Sequence, residues 1–259
     1  MEKKEVNKLL KDLAEKYETT DFLQTDPSRF IRYYKRNSDR EAFSFTAAML
    51  SFGNRKQFIP KIERLSELAD TFSRNQGREP SFAFWILSGA YRSTLLPENG
   101  DAETKFYRFY SYNDMYDFFD ELKQILQISG SMGEFLRHSI EYGAMEMPLD
   151  MMISESFPKS AIVSKGKNSA NKRIHMFLRW MVRRNSPVDL GTWTFVSPKD
   201  LIMPLDVHVM QEAIKLGLLP ENARAGRKTA VLLTERLKEI WPEDPCKGDF
   251  ALFGLGVDK

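Results

Sequence analysis

The chain is poor in cysteine, in long apolar runs and in strand-like alternation, and each shortage excludes something. A single cysteine, Cys246, stands among 259 residues. No disulfide framework can form within the chain, and neither can a four-cysteine zinc or iron–sulfur site. A reducing compartment suits such a composition, and the cytoplasm is the expected location. No apolar run approaches the roughly 20 residues that a membrane helix needs. The N-terminal stretch from Met1 to Tyr17 is charged and helix-like, unlike a secretory signal. Three histidines are too few to suggest a histidine-rich metal site, and neither a metal nor a cofactor is expected. There is no internal repeat and no low-complexity tract. What remains is an ordinary globular composition, 42% hydrophobic and 29% charged, which argues against wholesale disorder.

Acidic residues are missing from one long stretch. None lies between Glu155 and Asp189, whereas that stretch holds Lys159, Lys165, Lys167, Lys172, Arg173, Arg179, Arg183 and Arg184. Without those eight, the rest of the chain carries 30 basic against 36 acidic residues. A basic island on an acidic body is the footprint of a local anion site, with the nucleic-acid backbone as the leading partner. A solvated basic helix face accounts for the same pattern equally well.

Apolar residues recur at helical spacing along most of the chain. Val6, Leu9, Leu10 and Leu13 form one stripe, and Phe43 to Leu50 a second apolar helix ended by Ser51-Phe52-Gly53-Asn54. Ile59, Ile62, Leu65 and Leu68 mark a helix between Phe58 and Phe72, and Met115, Phe118, Phe119, Leu122, Ile125 and Leu126 another up to Ile128. Breaks fall at residues 75–77, 97–100 and 143–148. No Asn-Gly or Asp-Gly pair separates alternating runs, so no hairpin is expected. The fold class expected is all-α.

The clearest helix expected spans residues 170–184. Ile174, Phe177, Leu178, Met181 and Val182 form its buried stripe, and Arg173, Arg179, Arg183 and Arg184 lie largely off it. Lys165-Gly166-Lys167-Asn168-Ser169 precedes it. Gly166 allows a tight turn and Asn168 or Ser169 can cap the helix. A helix start presents unpaired N–H groups and partial positive charge, which suit a phosphate. A capped amphipathic helix with a basic outer face is the plain alternative.

Downstream, Pro204-Leu205-Asp206-Val207-His208-Val209 leads into a short helix ended by Gly217 and Pro220. With Lys215-Leu216-Gly217-Leu218, this segment resembles the P-V-D-T-H-V … R-L-G-L segment of the helix-hairpin-helix DNA glycosylase superfamily. More of the chain resembles a bacterial family known as domain of unknown function 2400. The matching stretches there are residues 172–183, 188–191, 204–209 and 249–256, with Ser51 to Gln57 also similar. The usual glycosylase hairpin, L-P-G-x-G-x-K-T-A, is represented only by Gly166-Lys167-Asn168-Ser169-Ala170. The 34-residue separation of Lys172 and Asp206 is similar to that of the archaeal 8-oxoguanine glycosylase/lyase branch.

The glycosylase resemblance implies a two-lobed helical fold, a helical bundle at 45–190 carrying Lys172 and a second lobe of 1–44 plus 191–259 carrying Asp206, with the cleft between them. It implies that Asp206 is catalytic and that Lys172 matches the Schiff-base lysine of the bifunctional members. The implied activity is excision of a damaged purine such as 8-oxoguanine from duplex DNA, with Lys165 to Ser169 and Arg173 on the backbone. Asn54 and Gln57 are candidates for a base pocket, since amides pair well with purine edges, and so is His208; Asn54 and Gln57 could equally end a helix, and His208 could simply sit on its helix. Trp85, Trp180 and Trp193 could stack on a flipped base or pack in the core. Taken without the resemblance, Asp206 reads as a helix N-cap and Lys172 as a surface lysine. Two other functions stay open: a nucleic-acid-binding protein on the same fold without catalysis, and a helical protein-interaction module, with no protein partner indicated.

Overall fold

A computed structural model describes residues 2–142 and 147–257. Part of the expected break at 143–148 therefore lies outside the described residues. The chain is mainly α-helical and divides into two units. One comprises residues 1–29 and 165–259, the other residues 30–164. The boundaries differ from those expected at 44/45 and 190/191, and they place Lys172 in the same unit as Asp206.

The discontinuous unit begins with α1 (Lys3–Tyr17), where the Glu5 carboxylate accepts from the Glu2 N–H at 3.0 Å. Val6, Leu10, Leu13 and Ala14 are its buried face.

The continuous unit holds α2 (Asn37–Leu50), α3 (Arg55–Asn75), α4 (Phe82–Ser88), α5 (Tyr91–Thr94), α6 (Tyr112–Ser129), α7 (Met132–Glu141) and α8 (Leu149–Glu155). Local chemistry sets several of these limits. The Asn54 side chain accepts from Lys56 N–H at 2.9 Å and starts α3. Ser81 caps α4, and Gly89, at φ 76°, ends it. Ser111 and Asp114 form a reciprocal capping box on α6. Helix α2 is buried from Glu41 to Leu50, so every side of it is packed. Its Asp39 carboxylate accepts from the Ser81 hydroxyl at 2.6 Å and from Ala83 N–H at 2.8 Å, fixing α4 beside it. Phe43, Phe82, Trp85 and Phe119 interlock in this core, and Trp85 donates its ring N–H to the Thr94 hydroxyl.

A two-stranded hairpin, β1 (Lys105–Tyr107) and β2 (Tyr110–Ser111), departs from the expectation of no hairpin. Its turn is Arg108-Phe109, and Arg108 takes the positive φ of 52° that glycine or asparagine usually supplies.

The first unit resumes with α9 (Lys172–Val182), α10 (Val207–Lys215), α11 (Arg227–Lys238) and α12 (Gly248–Val257). Its core joins Val6, Leu10 and Leu13 of α1 to Val209 and Ala213 of α10, Ala230, Leu233 and Leu237 of α11, and Ala251 and Leu252 of α12. Helix α9 is shorter than expected, and it is not one-faced: Ile174 through Val182 are all buried. Asn171, at φ 43° and ψ 37°, is its N-cap position in place of Asn168 or Ser169. The Ser169 hydroxyl instead accepts from Asn171 N–H at 3.1 Å.

After α9 the chain doubles back. Leu190 N–H donates to Trp180 O at 2.8 Å, and Trp193 N–H to Met181 O at 2.8 Å. Trp180 and Trp193 are both buried here, Trp193 edge-on to Phe177. The return depends on Gly191, at φ 61°; a β-carbon there would lie 2.6 Å from Arg183 O, a backbone atom that cannot swing away. Gly191→Ala is expected to cost about 1–3 kcal/mol of stability, read as a lower urea midpoint at unchanged slope. A midpoint equal to that of the wild type would show that the return does not constrain this unit.

Candidate active site

Lys172 opens α9 and Asp206 opens α10, and the two meet. Lys172 Nζ lies 2.9 Å from Asp206 Oδ2, with side-chain exposures of 38% and 32%. The pair is therefore reachable from solvent yet held on both sides. Asp206 divides its two oxygens. Oδ1 accepts from Val209 N–H at 2.8 Å and caps α10, while Oδ2 faces the ammonium. Asp206 thus fills the capping role that it is expected to have without the resemblance, and its other oxygen contacts Lys172 as well.

Electrostatics at Asp206 run against each other. Partial burial pushes its carboxyl up, but the Lys172 charge, the Val209 amide, the hydrogen bond from Lys172 and the charge of His208 outweigh it. The group is held below the usual carboxylate range, so it is ionised over a wide pH span. His208 is exposed on the first turn of α10, two residues from Asp206.

The basic island is not one surface. Arg179 and Arg183, expected on an outer face, are buried at 3% and 1% exposure. Arg179 pairs with Asp189 and Asp249; Arg183 pairs with Glu18, Asp189 and Asp244. Positions 172, 179 and 183 fall close together around a 3.6-residue helix, so one side of α9 meets five carboxylates. Arg184 is exposed but donates to Thr194 O and Val196 O, pinning the returning strand of chain.

What stays outside is the turn itself. Lys165, Gly166, Lys167 and Asn168 are exposed, with Gly166 at φ 98°, and Arg173 is half-buried one residue beyond Lys172. Asn168 O accepts from Arg227 N–H at 3.0 Å, which seats the turn on the start of α11. Arg227 and Lys228 therefore join Lys165 and Lys167, a contribution that the sequence reading missed. The run Arg224-Ala-Gly-Arg-Lys228 is a visible basic cluster, but only the fold brings it beside the turn.

Asn54 and Gln57 lie in the other unit. Both are exposed, Asn54 as the N-cap of α3 and Gln57 in its first turn. Trp85 is in that unit's core.

Fold and site define a mainly α-helical protein with a half-exposed lysine–aspartate pair at two helix starts, beside a basic turn. The chain belongs to the family described as Protein of unknown function (DUF2400), whose model matches residues 26–258. No curated protein and no solved structure matches the chain. Among the described residues, no helix is long and apolar enough to cross a membrane.

Proposed function

We propose that this protein is a DNA N-glycosylase with an accompanying lyase step, acting on a damaged purine such as 8-oxoguanine, on a fold of the helix-hairpin-helix glycosylase type. The observation that carries the proposal is the contact of Lys172 Nζ with Asp206 Oδ2 at 2.9 Å. These are the two residues to which the resemblance assigns nucleophile and carboxylate.

A base inside a duplex must be turned out of the stack before its glycosidic bond can be reached. Lys172 must lose a proton to become a nucleophile, and Asp206, already hydrogen-bonded to it and ionised, is the placed acceptor. The Nζ lone pair attacks C1′ of the sugar. The Nζ–C1′ bond forms as the C1′–N bond breaks, and the bonding electrons leave with the base, which takes up a proton. Positive charge developing on the sugar is stabilised by the carboxylate. Ring opening leaves an imine between Lys172 and C1′; loss of a C2′ proton then expels the 3′ phosphate and cuts the strand. Lys165, Lys167, Arg173, Arg227 and Lys228 would hold the phosphates, so affinity falls steeply with salt.

Borohydride reduces such an imine to a stable amine. A covalent adduct with one member of a panel of lesion-containing duplexes, lost in Lys172→Gln, is the expected result. Absence of both an adduct and an alkali-labile product on every lesion, with salt-dependent binding retained, would leave a nucleic-acid-binding protein without this chemistry.

A further inference from the structure

We propose that the hairpin tip Arg108-Phe109, together with the turn at Phe52 to Asn54 and the start of α3 at Arg55 and Lys56, is a second nucleic-acid contact that stacks an unpaired base on Phe109. It lies in the continuous unit and does not rest on the chemistry of Lys172.

Four observations converge. First, Phe109 is 58% exposed at the tip of a hairpin, where a partner can reach the ring. Second, the ring is not loose. It packs on Phe52 at 5.2 Å and against Tyr110 at 4.6 Å, and Lys105 Nζ donates to Phe109 O at 2.9 Å. A platform that is ordered beforehand loses little entropy on binding. Third, the tip is held in an unfavourable backbone state. Arg108 sits at φ 52°, with its guanidinium 5.6 Å from the Phe52 ring centre, and the Tyr107 hydroxyl donates to Phe52 O. Gly53, at φ 80°, takes a backbone state that favours glycine, and a β-carbon there would meet Arg108 Nη1 at 2.2 Å, so a larger residue would be strained and would push the guanidinium aside. Strain kept at an exposed arginine points to a use for it.

The fourth observation is charge. Residues 51–62 and 104–113 carry Arg55, Lys56, Lys61, Lys105 and Arg108, and no acidic residue. Glu63, Glu103 and Asp114 stand just beyond, and Asp114 is committed to the capping box of α6. Cations interleaved with an exposed ring match a strand of nucleic acid: phosphates meet the cations, and a base meets the ring. An acidic peptide would satisfy the charges, but it offers a ring only where its sequence happens to place one, whereas every nucleotide carries a flat base beside its phosphate. Stacking also explains why phenylalanine, without a hydrogen-bonding group, occupies the tip.

The test uses the full chain and a fluorescein-labelled, undamaged single-stranded oligonucleotide, so that failure of lesion excision leaves it intact. In fluorescence anisotropy, Phe109→Ala is expected to weaken binding about tenfold or more, and Phe109→Tyr to retain it. Lys56→Gln is expected to lower the salt slope by about one. Photocrosslinking of a bromouracil-substituted strand is expected to label the peptide that contains Phe109. Phe109→Ala with wild-type affinity, and crosslinks confined to peptides of the other unit, would overturn the proposal. Equal binding of poly-glutamate, insensitive to Phe109, would overturn it too and mark an acidic-protein surface instead.

Discussion

Arg183→Met is expected to destabilise the discontinuous unit by about 3–5 kcal/mol. The guanidinium is almost wholly enclosed, and every donor nitrogen is used. Nε donates to Asp244 at 2.8 Å, Nη1 to Asp189 at 2.6 Å, and Nη2 to Glu18 at 2.8 Å and to Asp244 at 2.7 Å. These carboxylates hold Arg183 charged far beyond its ordinary range, even though burial works the other way. Removing it strands Glu18 and Asp244 and leaves Asp189 to Arg179 alone. Two guanidiniums already face four carboxylates in this cluster, so the loss of one is uncompensated. Arg183→Lys is expected to recover little, because a single ammonium cannot reach three acids in a planar fork. Trp180, Trp193 and Trp241 belong to this unit, so tryptophan fluorescence during urea unfolding reports on it. A midpoint shift worth less than about 1 kcal/mol would mean that these pairs are weak surface contacts in energetic terms.

Asp206→Asn is expected to separate chemistry from folding. Asparagine is as good an N-cap as aspartate, so the Val209 N–H keeps its acceptor and α10 keeps its start. Thermal unfolding at neutral pH should shift only by the loss of the part-exposed Lys172 pair, about 1 kcal/mol or less. Proton acceptance from Lys172 is lost, and general-base effects of this kind are worth roughly a hundred- to ten-thousandfold in rate. Borohydride trapping should slow by that order at unchanged DNA affinity. Trapping at the wild-type rate would remove Asp206 from the chemistry and leave it as a cap. The same residue shapes the response to acid. Its carboxyl is held below the ordinary range in the folded state, so its contribution to stability is complete above the ordinary carboxylate value. That contribution disappears as pH falls through the lowered folded value. Wild type should thus lose stability in acid more steeply than Asp206→Asn, by comparison of urea midpoints along a pH series.

Much of the helical framework could be read from spacing. The stripes at Val6 to Leu13, Ile59 to Leu68 and Met115 to Leu126 lie in α1, α3 and α6, because each has one apolar side and a polar one. Helix α9 resisted the same reading. Its arginines look solvent-facing when charge is taken as a mark of the surface; of their partners only Asp189 is near in sequence, and Asp244, Asp249 and Glu18 stand 61 to 165 positions away along the chain. Nothing local announces a buried ion cluster. The hairpin was hidden for a related reason: its turn carries Arg108-Phe109, and the strain there is paid through contacts with Phe52 and Gly53 that sequence alone does not reveal. Lys172 and Asp206 were singled out by resemblance. Their 2.9 Å contact, and the sharing of Asp206 between cap and lysine, come from the way α9 and α10 begin side by side.

Helix α1 packs on α12, and Glu18 answers an arginine 165 positions later. During synthesis these partners are not present together. At roughly 5–20 residues per second, the apolar stripe of α1 leaves the ribosome about ten seconds or more before α12 exists to cover it. The intervening unit, residues 30–164, is complete before its neighbour can close. The nascent chain therefore carries Leu10, Leu13 and an unanswered Glu18 through most of its elongation. That interval is when a chaperone would find this protein.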